Sequence, residues 1–360
     1  MAEAGLKRTT PLATATLVIG ANLPDVDAVF ALGGSDASLY WRRGWTHGVL
    51  ALSLWPFVLT GGMLLWDRYV RRRKHPELPP ARVGPLLLLS TLSVLSHPAL
   101  DWLNSYGVRL LMPFDGAWFY GDALFIIDPW VWLLAGAAVI MADARTRKSA
   151  AGWCVLGAAS TALIMFPAFV PWPAKVLWCV GVAAIVWLRL RGTHVVSAQR
   201  VATVCGVGLV LYLSAIFVGS QVAAPRAMAW LRARNLPVER TVAGPLPANP
   251  FVRDIIALGP DRYHFVRADF LADEAGRFRI SDPSAPREPR PGPIIEAALS
   301  VPQIRGLANW LRLPTYQVEE QPDGWRVTIR DVRYSRMQSG GLGTAVVELD
   351  AALRPLRVAH

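Results

Sequence analysis

Residues 83–103 read VGPLLLLSTLSVLSHPALDWL. The stretch is apolar over about 20 residues, the length that an α-helix needs to cross the hydrocarbon core of a bilayer. It closes with SHPALD (96–101), which places the ionisable side chains of His97 and Asp101 near one end. The segment therefore predicts a membrane-spanning helix that carries a polar site at one end.

Apolar segments of comparable length recur through the first 222 residues. Including the stretch above they number about seven, and they lie at 10–24, 46–66, 83–103, 125–142, 150–168, 172–190 and 200–222. Hydrophobic residues make up 53% of the chain and charged residues 18%, whereas soluble domains are about 25% charged. This composition excludes a disordered chain and an ordinary cytosolic enzyme, and it predicts an α-helical polytopic membrane domain over residues 1–222.

Basic residues concentrate in alternate connections between these segments. They are Lys7, Arg8, Arg68, Arg71, Arg72, Arg73, Lys74, Arg82, Arg145, Arg147, Lys148, Arg189, Arg191 and Arg200. The intervening connections hold only Arg42, Arg43, Arg109 and Lys175. Because cytoplasmic connections are enriched in Lys and Arg, the asymmetry predicts a multi-pass protein of the bacterial inner membrane with the first set in the cytoplasm. The net charge of +11 is then explained by orientation, and we expect no nucleic-acid partner.

The pattern changes after residue 222. Alternation of polar and apolar residues predicts strands at 262–267, 325–334 and 344–349, and a short helix is expected at 304–311. Proline-rich sequence predicts a linker at 236–250 and a loop at 281–293. Because it follows the last span, we expect residues 223–360 to form a small β-rich extracytoplasmic domain.

Ionisable residues near the spans are the most informative, because polar groups close to the bilayer need partners. They occur in LPDVD (23–27), RGWTH (43–47), SHPALD (96–101) and GDALFIIDP (121–129). The predicted topology places all four stretches at the outer face of the membrane, although their aspartates and histidines played no part in setting that topology. His97 and Asp101 are also four residues apart, which puts them on one helical face.

Together these stretches supply a mixed set of nitrogen and oxygen ligands. Such a set suits Zn²⁺, Mn²⁺ or Fe²⁺, and we favour zinc. The candidate metal ligands are Asp25, Asp27, His47, His97 and Asp101, with Asp122 and Asp128 as secondary candidates.

Each of these residues also has an ordinary structural explanation. Asp25 and Asp27 suit a helix cap or an Asx turn. Asp128 precedes a proline, which is typical of an N-cap followed by a first-turn proline. A lone histidine near a helix end is more often a hydrogen-bonded interface residue than a metal ligand. Only their convergence at one membrane depth favours a metal site.

The same motifs, with NSYGVRLLMPF (104–114), resemble the membrane-bound metal-dependent hydrolases of the LexA-regulated, YdjM type. The resemblance covers about residues 5–135. It implies a divalent-metal site with hydrolytic activity, in which the five candidate ligands occupy the family's ligand positions. A distant relation to zinc phospholipase C enzymes favours a phosphoester as the substrate.

The chain departs from that family in two places. Arg42 stands where relatives often carry a histidine. Residues 1–8 are similar to the tail of a longer N-terminal helix, which commonly begins with a Thr-His pair in relatives. We therefore expect a translation start upstream of Met1 that adds a further histidine ligand, and in-frame Thr-His codons in the genomic DNA would support it.

The leading hypothesis is an inner-membrane hydrolase that cleaves an ester or phosphoester at the outer membrane face. Its residues would hold one or two metal ions that activate water, with Asp27 as the candidate general base. A lipid-linked substrate fits the headgroup depth of the site. The alternatives are a non-enzymatic membrane scaffold or envelope-stress protein with a structural polar cluster, and a transporter. A transporter would carry its polar residues nearer the bilayer midplane.

Overall fold

The computed structural model describes residues 1–126, 128–143, 146–167, 170–191, 197–246, 249–334 and 342–359. Over these ranges the chain forms a helical region followed by two antiparallel β-sheets. The predicted fold class, a polytopic helical membrane region followed by a β-rich domain, is confirmed. Arg145, which contributed to the predicted topology, lies outside the described residues.

The described part of the helical region contains helices that range from three to 35 residues in length. Its helices are α1 (Ala13–Asn22), α2 (Ser35–Trp41), α3 (Val49–Trp66), α4 (Arg72–Lys74), α5 (Val83–Leu103), α6 (Pro129–Asp143), α7 (Arg147–Met165), α8 (Trp172–Arg191) and α9 (Ala198–Arg232). The 3-10 segment Leu23–Gly33 extends α1, and the π-helical turn Asp67–Arg71 joins α3 to α4.

Six helical stretches in the described part of the chain are long and apolar enough to cross a membrane. They are Ala13–Gly33, Val49–Lys74, Val83–Leu103, Arg147–Met165, Trp172–Arg191 and Ala198–Arg232. The shorter apolar helix Pro129–Met141 corresponds to the predicted segment at 125–142. The estimate of about seven helices therefore agrees with the structure.

The membrane helices keep large apolar side chains on their outer surfaces. Val155, Leu190 and Val204 are 71%, 82% and 71% exposed, which is typical of helices surrounded by lipid rather than water. At one contact between helices, small residues face each other. A Cβ at Gly20 of α1 would clash with the hydroxyl of Ser93 on α5, so this pair permits the close helix approach that is common in membranes.

Two four-stranded sheets form the C-terminal domain, residues 240–359. The first contains β1 (Arg240–Leu246), β2 (Asn249–Leu258), β3 (Arg262–Asp269) and β4 (Phe278–Pro286). After α10 (Pro293–Leu299) and α11 (Arg305–Trp310), the second contains β5 (Pro314–Gln321), β6 (Gly324–Asp331), β7 (Thr344–Asp350) and β8 (Pro355–Ala359). In both sheets consecutive strands pair antiparallel. The predicted strands correspond to β3, β6 and β7, and the predicted short helix to α11.

The proline-rich stretches differ from their predicted conformations. The linker predicted at 236–250 contains β1 and the start of β2, and the loop predicted at 281–293 begins inside β4. Both β1 and β4 are edge strands of the first sheet. An edge strand tolerates proline, because the missing N–H can fall on the side that has no neighbouring strand. Helix α9 also continues past residue 222, the predicted domain boundary, to Arg232.

The first sheet packs on the C-terminal half of α9. Ala223, Ala227 and Leu231 recur every four residues, so they share one face of the helix. They are fully buried in one cluster with Ile255 and Val266 of the sheet. The membrane helix α9 therefore continues directly into the core of the C-terminal domain.

The second sheet is attached to the segments that carry the predicted site. Trp310 of α11 is fully buried and donates from Nε1 to the carbonyl oxygen of Tyr106 at 3.0 Å. Arg312 donates to both carboxylate oxygens of Asp122, each at 2.8 Å. The C-terminal domain therefore contacts the loop between α5 and α6.

Gly306 marks a close approach between the C-terminal domain and α2. A Cβ there would clash with the carbonyl oxygen of Asp36, whose carboxylate accepts a hydrogen bond from the Leu307 backbone at 3.0 Å. We expect Gly306→Val to separate α11 from α2 and to accelerate cleavage near α11 in limited proteolysis of the full-length protein. Gly292→Val is the control, since a Cβ at Gly292 meets open space. An unchanged digestion pattern for Gly306→Val would contradict this contact.

Candidate metal centre

Four polar side chains from three segments meet at one end of the helical region. Asp25 lies in the 3-10 segment after α1, and His47 lies just before α3. His97 and Asp101 occupy the last turns of α5. Each residue offers one ligand atom, and these four atoms lie within 4.8 Å of one another.

The separations between these atoms match those around a single metal ion. Four ligands placed tetrahedrally at 2.0–2.2 Å from zinc lie roughly 3.3–3.6 Å apart. Asp101 Oδ2 is 3.2 Å from His47 Nε2 and 3.5 Å from His97 Nε2. Asp25 Oδ1 is 3.6 Å from His97 Nε2 and 3.9 Å from His47 Nε2. Three of these four separations are within about 0.1 Å of the tetrahedral range and the fourth is longer, so the cluster is close to the spacing of a single ion's ligands.

Three of these atoms have no hydrogen-bond partner in the described part of the protein. They are His47 Nε2, His97 Nε2 and Asp101 Oδ2, and all are buried. A buried polar atom without a partner is costly, typically by about 1–3 kcal/mol. A divalent ion coordinated by the three atoms would satisfy all of them, so the residues fit such an ion.

The opposite ring nitrogens of the two histidines have partners that orient the rings. His97 Nδ1 lies 2.6 Å from the carbonyl oxygen of Ala21, so Nδ1–H donates to that oxygen and Nε2 points into the cluster. His47 Nδ1 lies 3.3 Å from Asp27 Oδ2 and 3.0 Å from Thr46 Oγ1. Partners of this kind fix the tautomer and orientation of metal-binding histidines.

Arg43 holds the Asp101 carboxylate in place. Its Nη2 lies 2.8 Å from Asp101 Oδ1, and its Nη1 donates to Asn104 Oδ1 at 2.9 Å. Because Arg43 binds Oδ1, the oxygen that faces the histidines is Oδ2. The sequence prediction did not assign this role to Arg43. The sequence offers one indication of such a role, since Arg43 is one of only four basic residues in the connections predicted to lie at the outer face of the membrane.

Close backbone packing after Arg43 leaves no space for a side chain at Gly44 and Gly48. Arg43 itself has a φ of 53°, in the left-handed region. Its carbonyl oxygen accepts a hydrogen bond from the Arg109 backbone at 2.8 Å. A Cβ at Gly44 would meet the Arg109 guanidinium, and one at Gly48 would clash with the carbonyl oxygen of Met112. The segment 43–48 thus lies tightly against 109–112 and directs His47 into the cluster.

Asp27 lies behind His47 and is not one of the four grouped residues. Its Oδ2 accepts hydrogen bonds from the Arg43 backbone at 2.8 Å and from Thr46 Oγ1 at 2.9 Å. The carboxylate is buried. In this position Asp27 Oδ2 orients the His47 ring through Nδ1, the ring nitrogen opposite the one in the cluster.

The other candidates and Arg42 have separate surroundings. Asp122 pairs with Arg312. Asp128 caps α6 by accepting from the Trp130 backbone at 2.9 Å, and it also accepts from the Tyr212 hydroxyl at 2.7 Å. The structure therefore places both aspartates outside the cluster. Arg42 lies at its edge, where its Nη2 donates to Asp25 Oδ1 at 2.9 Å.

Asp27→Asn keeps the shape of the side chain and removes the negative charge beside His47 Nδ1. We expect metal affinity to fall by about 10–100-fold, the usual effect of losing an outer-shell partner. Saturating metal should still fill the site. Equilibrium dialysis of the full-length protein against Zn²⁺ measures the change. The exposed Asp115→Asn is the matched control, and equal affinities for the two variants would contradict the role of Asp27.

Comparison with known proteins agrees with the motifs. Residues 1–170 match the family model described as YdjM inner membrane protein, which confirms the resemblance to this membrane-bound family. A 120-residue segment is 27% identical to the uncharacterized protein YfhP of Bacillus subtilis (strain 168), and it spans 33% of each chain. The match thus covers only a third of that relative. No solved structure matches the chain.

Proposed function

We propose that the YdjM-family membrane region, residues 1–170, holds a divalent metal ion and that the protein hydrolyses an ester or phosphoester. The proposal rests on the buried, unpartnered ligand atoms of His47, His97 and Asp101 beside Asp25. Their chemistry suits Zn²⁺, Mn²⁺ or Fe²⁺, and we favour zinc. A bound ion would supply Lewis-acid activation of water and of the scissile ester.

The protein's own residues have distinct roles in this proposal. Arg43 and the Ala21 carbonyl group orient Asp101 and His97. Asp27 is the proposed general base, because its Oδ1 is buried without a hydrogen-bond partner while its Oδ2 is occupied. A proton released from the attacking water would be accepted at this Oδ1.

The position of the cluster supports action at the membrane surface. His97 and Asp101 lie at the end of the span Val83–Leu103, and His47 lies just before the span Val49–Lys74, so a lipid-linked substrate would meet the cluster near headgroup depth. From the distribution of basic residues we propose that the C-terminal domain is extracytoplasmic. A phosphatase reporter that is active only outside the cytoplasm, fused after Asn235, should then be active, and an inactive fusion would contradict this orientation.

Hydrolysis is tested with purified full-length protein loaded with Zn²⁺, Mn²⁺ or Fe²⁺. The panel contains nitrophenyl carboxylic esters, phosphomonoesters and phosphodiesters. We expect metal-dependent cleavage of at least one class, lost in Asp101→Asn and retained in Asp115→Asn. Stoichiometric metal without cleavage of any class would instead favour a structural cluster in a membrane scaffold.

A further inference from the structure

A cavity of about 450 Å³ lies beside the metal site, between α2 and the C-terminal domain. Its lining mixes polar and apolar side chains and includes Ser35, Ser38, Arg42, Arg43, Leu39 and Leu307. None of the described residues that line it is acidic. The charge of the lining therefore favours an anion.

The two arginines connect this cavity with the metal site, but they differ in how fully they are engaged. Arg43 is 8% exposed and bonds to Asp101, Asn104 and the Gly107 carbonyl group. Arg42 is 29% exposed; its Nη2 donates to Asp25 and its Nε lies 3.8 Å from Asp27 Oδ1, which leaves its Nη1 without a carboxylate neighbour. Since a guanidinium has five N–H donors, Arg42 retains donors for an anion in the cavity. Phosphate and carboxylate oxygens are the partners that arginine binds best.

An exposed apolar surface includes the residue that precedes Arg42 in the chain. Trp41, the preceding residue, stacks on Phe30 with ring centroids 5.2 Å apart, and both rings remain partly exposed. Leu32 in the same 3-10 segment is 89% exposed. This segment closes the span Ala13–Gly33, so the surface lies at the membrane boundary, where an alkyl chain would cover it.

We propose that the cavity binds an anionic amphiphile, with its oxyanion head at Arg42 and its apolar chain against Leu39 and the Phe30–Trp41 surface. The inference rests on the proposed function and specifies its substrate class as an ester with a phosphate-type head and an apolar chain. Because Arg42 contacts Asp25, the head would lie next to the metal site. The C-terminal domain forms the opposite wall through Leu307 and Thr344.

The test measures binding without turnover, by calorimetry on the full-length protein in maltoside detergent. The probes are hexyl phosphate, inorganic phosphate and hexanol. We expect hexyl phosphate to bind, inorganic phosphate to bind at least about tenfold more weakly because no chain is buried, and hexanol not to bind. Arg42→Gln should weaken hexyl phosphate binding by about tenfold or more, because the substitution removes one charge-assisted hydrogen bond to the phosphate.

Two further variants make the result specific. Ser38→Asp places a carboxylate one helical turn before Arg42, whose backbone N–H bonds to the Ser38 carbonyl oxygen. It should weaken binding by a similar factor while the unfolding midpoint and metal content stay as in the wild type. Arg290→Gln, at an exposed position before α10, should bind hexyl phosphate as the wild type does.

Three results would overturn the proposal. They are equal hexyl phosphate binding by wild type, Arg42→Gln and Ser38→Asp; inorganic phosphate or hexanol binding as tightly as hexyl phosphate; and no hexyl phosphate binding at all. Failure of the proposed hydrolysis is distinguishable, since it would show as an inactive ester panel while these binding differences persist.

Discussion

His97→Ala should reduce the metal content of the purified protein from stoichiometric to background. The Nε2 atom of His97 lies between the two carboxylates of the cluster, 3.6 Å from Asp25 Oδ1 and 3.5 Å from Asp101 Oδ2. Its removal takes away one of four ligands and leaves the carboxylates to repel each other. The loss of affinity should therefore exceed the about 10–100-fold that is typical of an outer-shell change.

Mass-spectrometric metal analysis of dialysed wild type and variant checks this result. His75→Ala is the matched control, because His75 is an exposed histidine after α4 with Glu77 as its neighbour. The control should keep the wild-type metal content. Equal metal in wild type and His97→Ala, including negligible metal in both, would refute the metal centre.

The largest loss of stability is expected from Asp331→Ala in the C-terminal domain. Asp331 is fully buried and accepts hydrogen bonds from the Arg312 backbone at 2.8 Å and from Arg333 Nη2 at 2.8 Å. Without it the guanidinium of Arg333 would be a buried charge lacking its counterion. Breaking a buried pair in this way typically costs about 3–5 kcal/mol. Tryptophan fluorescence should report a lower unfolding midpoint, since Trp310 lies 4.6 Å from the Arg333 guanidinium.

The matched control is Glu348→Ala, which removes a surface partner of Arg326. Pairs of this kind contribute about 0–1 kcal/mol, so its midpoint should stay close to that of the wild type. A similar midpoint for Asp331→Ala would show that the buried pair adds little stability.

Acid should remove the same contribution from the wild type. Burial opposes ionisation of Asp331, but the charge and hydrogen bonds of Arg333 outweigh it and lower the pKa of the carboxyl below its usual range. Asp331 therefore stabilises the fold above its unfolded pKa of about 3.9. This stability is lost as the pH falls through the lower, folded pKa. Unfolding midpoints of wild type and Asp331→Ala should converge in that range.

The helices and the location of the cluster were predictable from local signals. Apolar runs of membrane length identify the spans, and the spacing of His97 and Asp101 places both on one face of α5. Successive spans cross the membrane in opposite directions. The end of the first span, the start of the second and the end of the third therefore lie at the same face of the membrane. The structure accordingly brings Asp25 and His47 to the end of α5.

Other features have no local signature. The role of Arg43 depends on its left-handed backbone and on contacts with Asp101 and Asn104, which are far along the chain. The pair between Arg312 and Asp122 joins residues 190 positions apart. Prolines in β1 and β4 resemble a loop pattern until it is known that both strands lie at a sheet edge.

Two different parts of the fold line the cavity, so substitutions in each part have different effects. Its metal-proximal side belongs to the membrane region, while Leu307 and Thr344 on its far side belong to a different part of the fold. Substitutions on the far side alter the shape of the cavity and leave all four clustered donor residues untouched. Related proteins can therefore differ in the molecules that this cavity admits while keeping the same four donor residues.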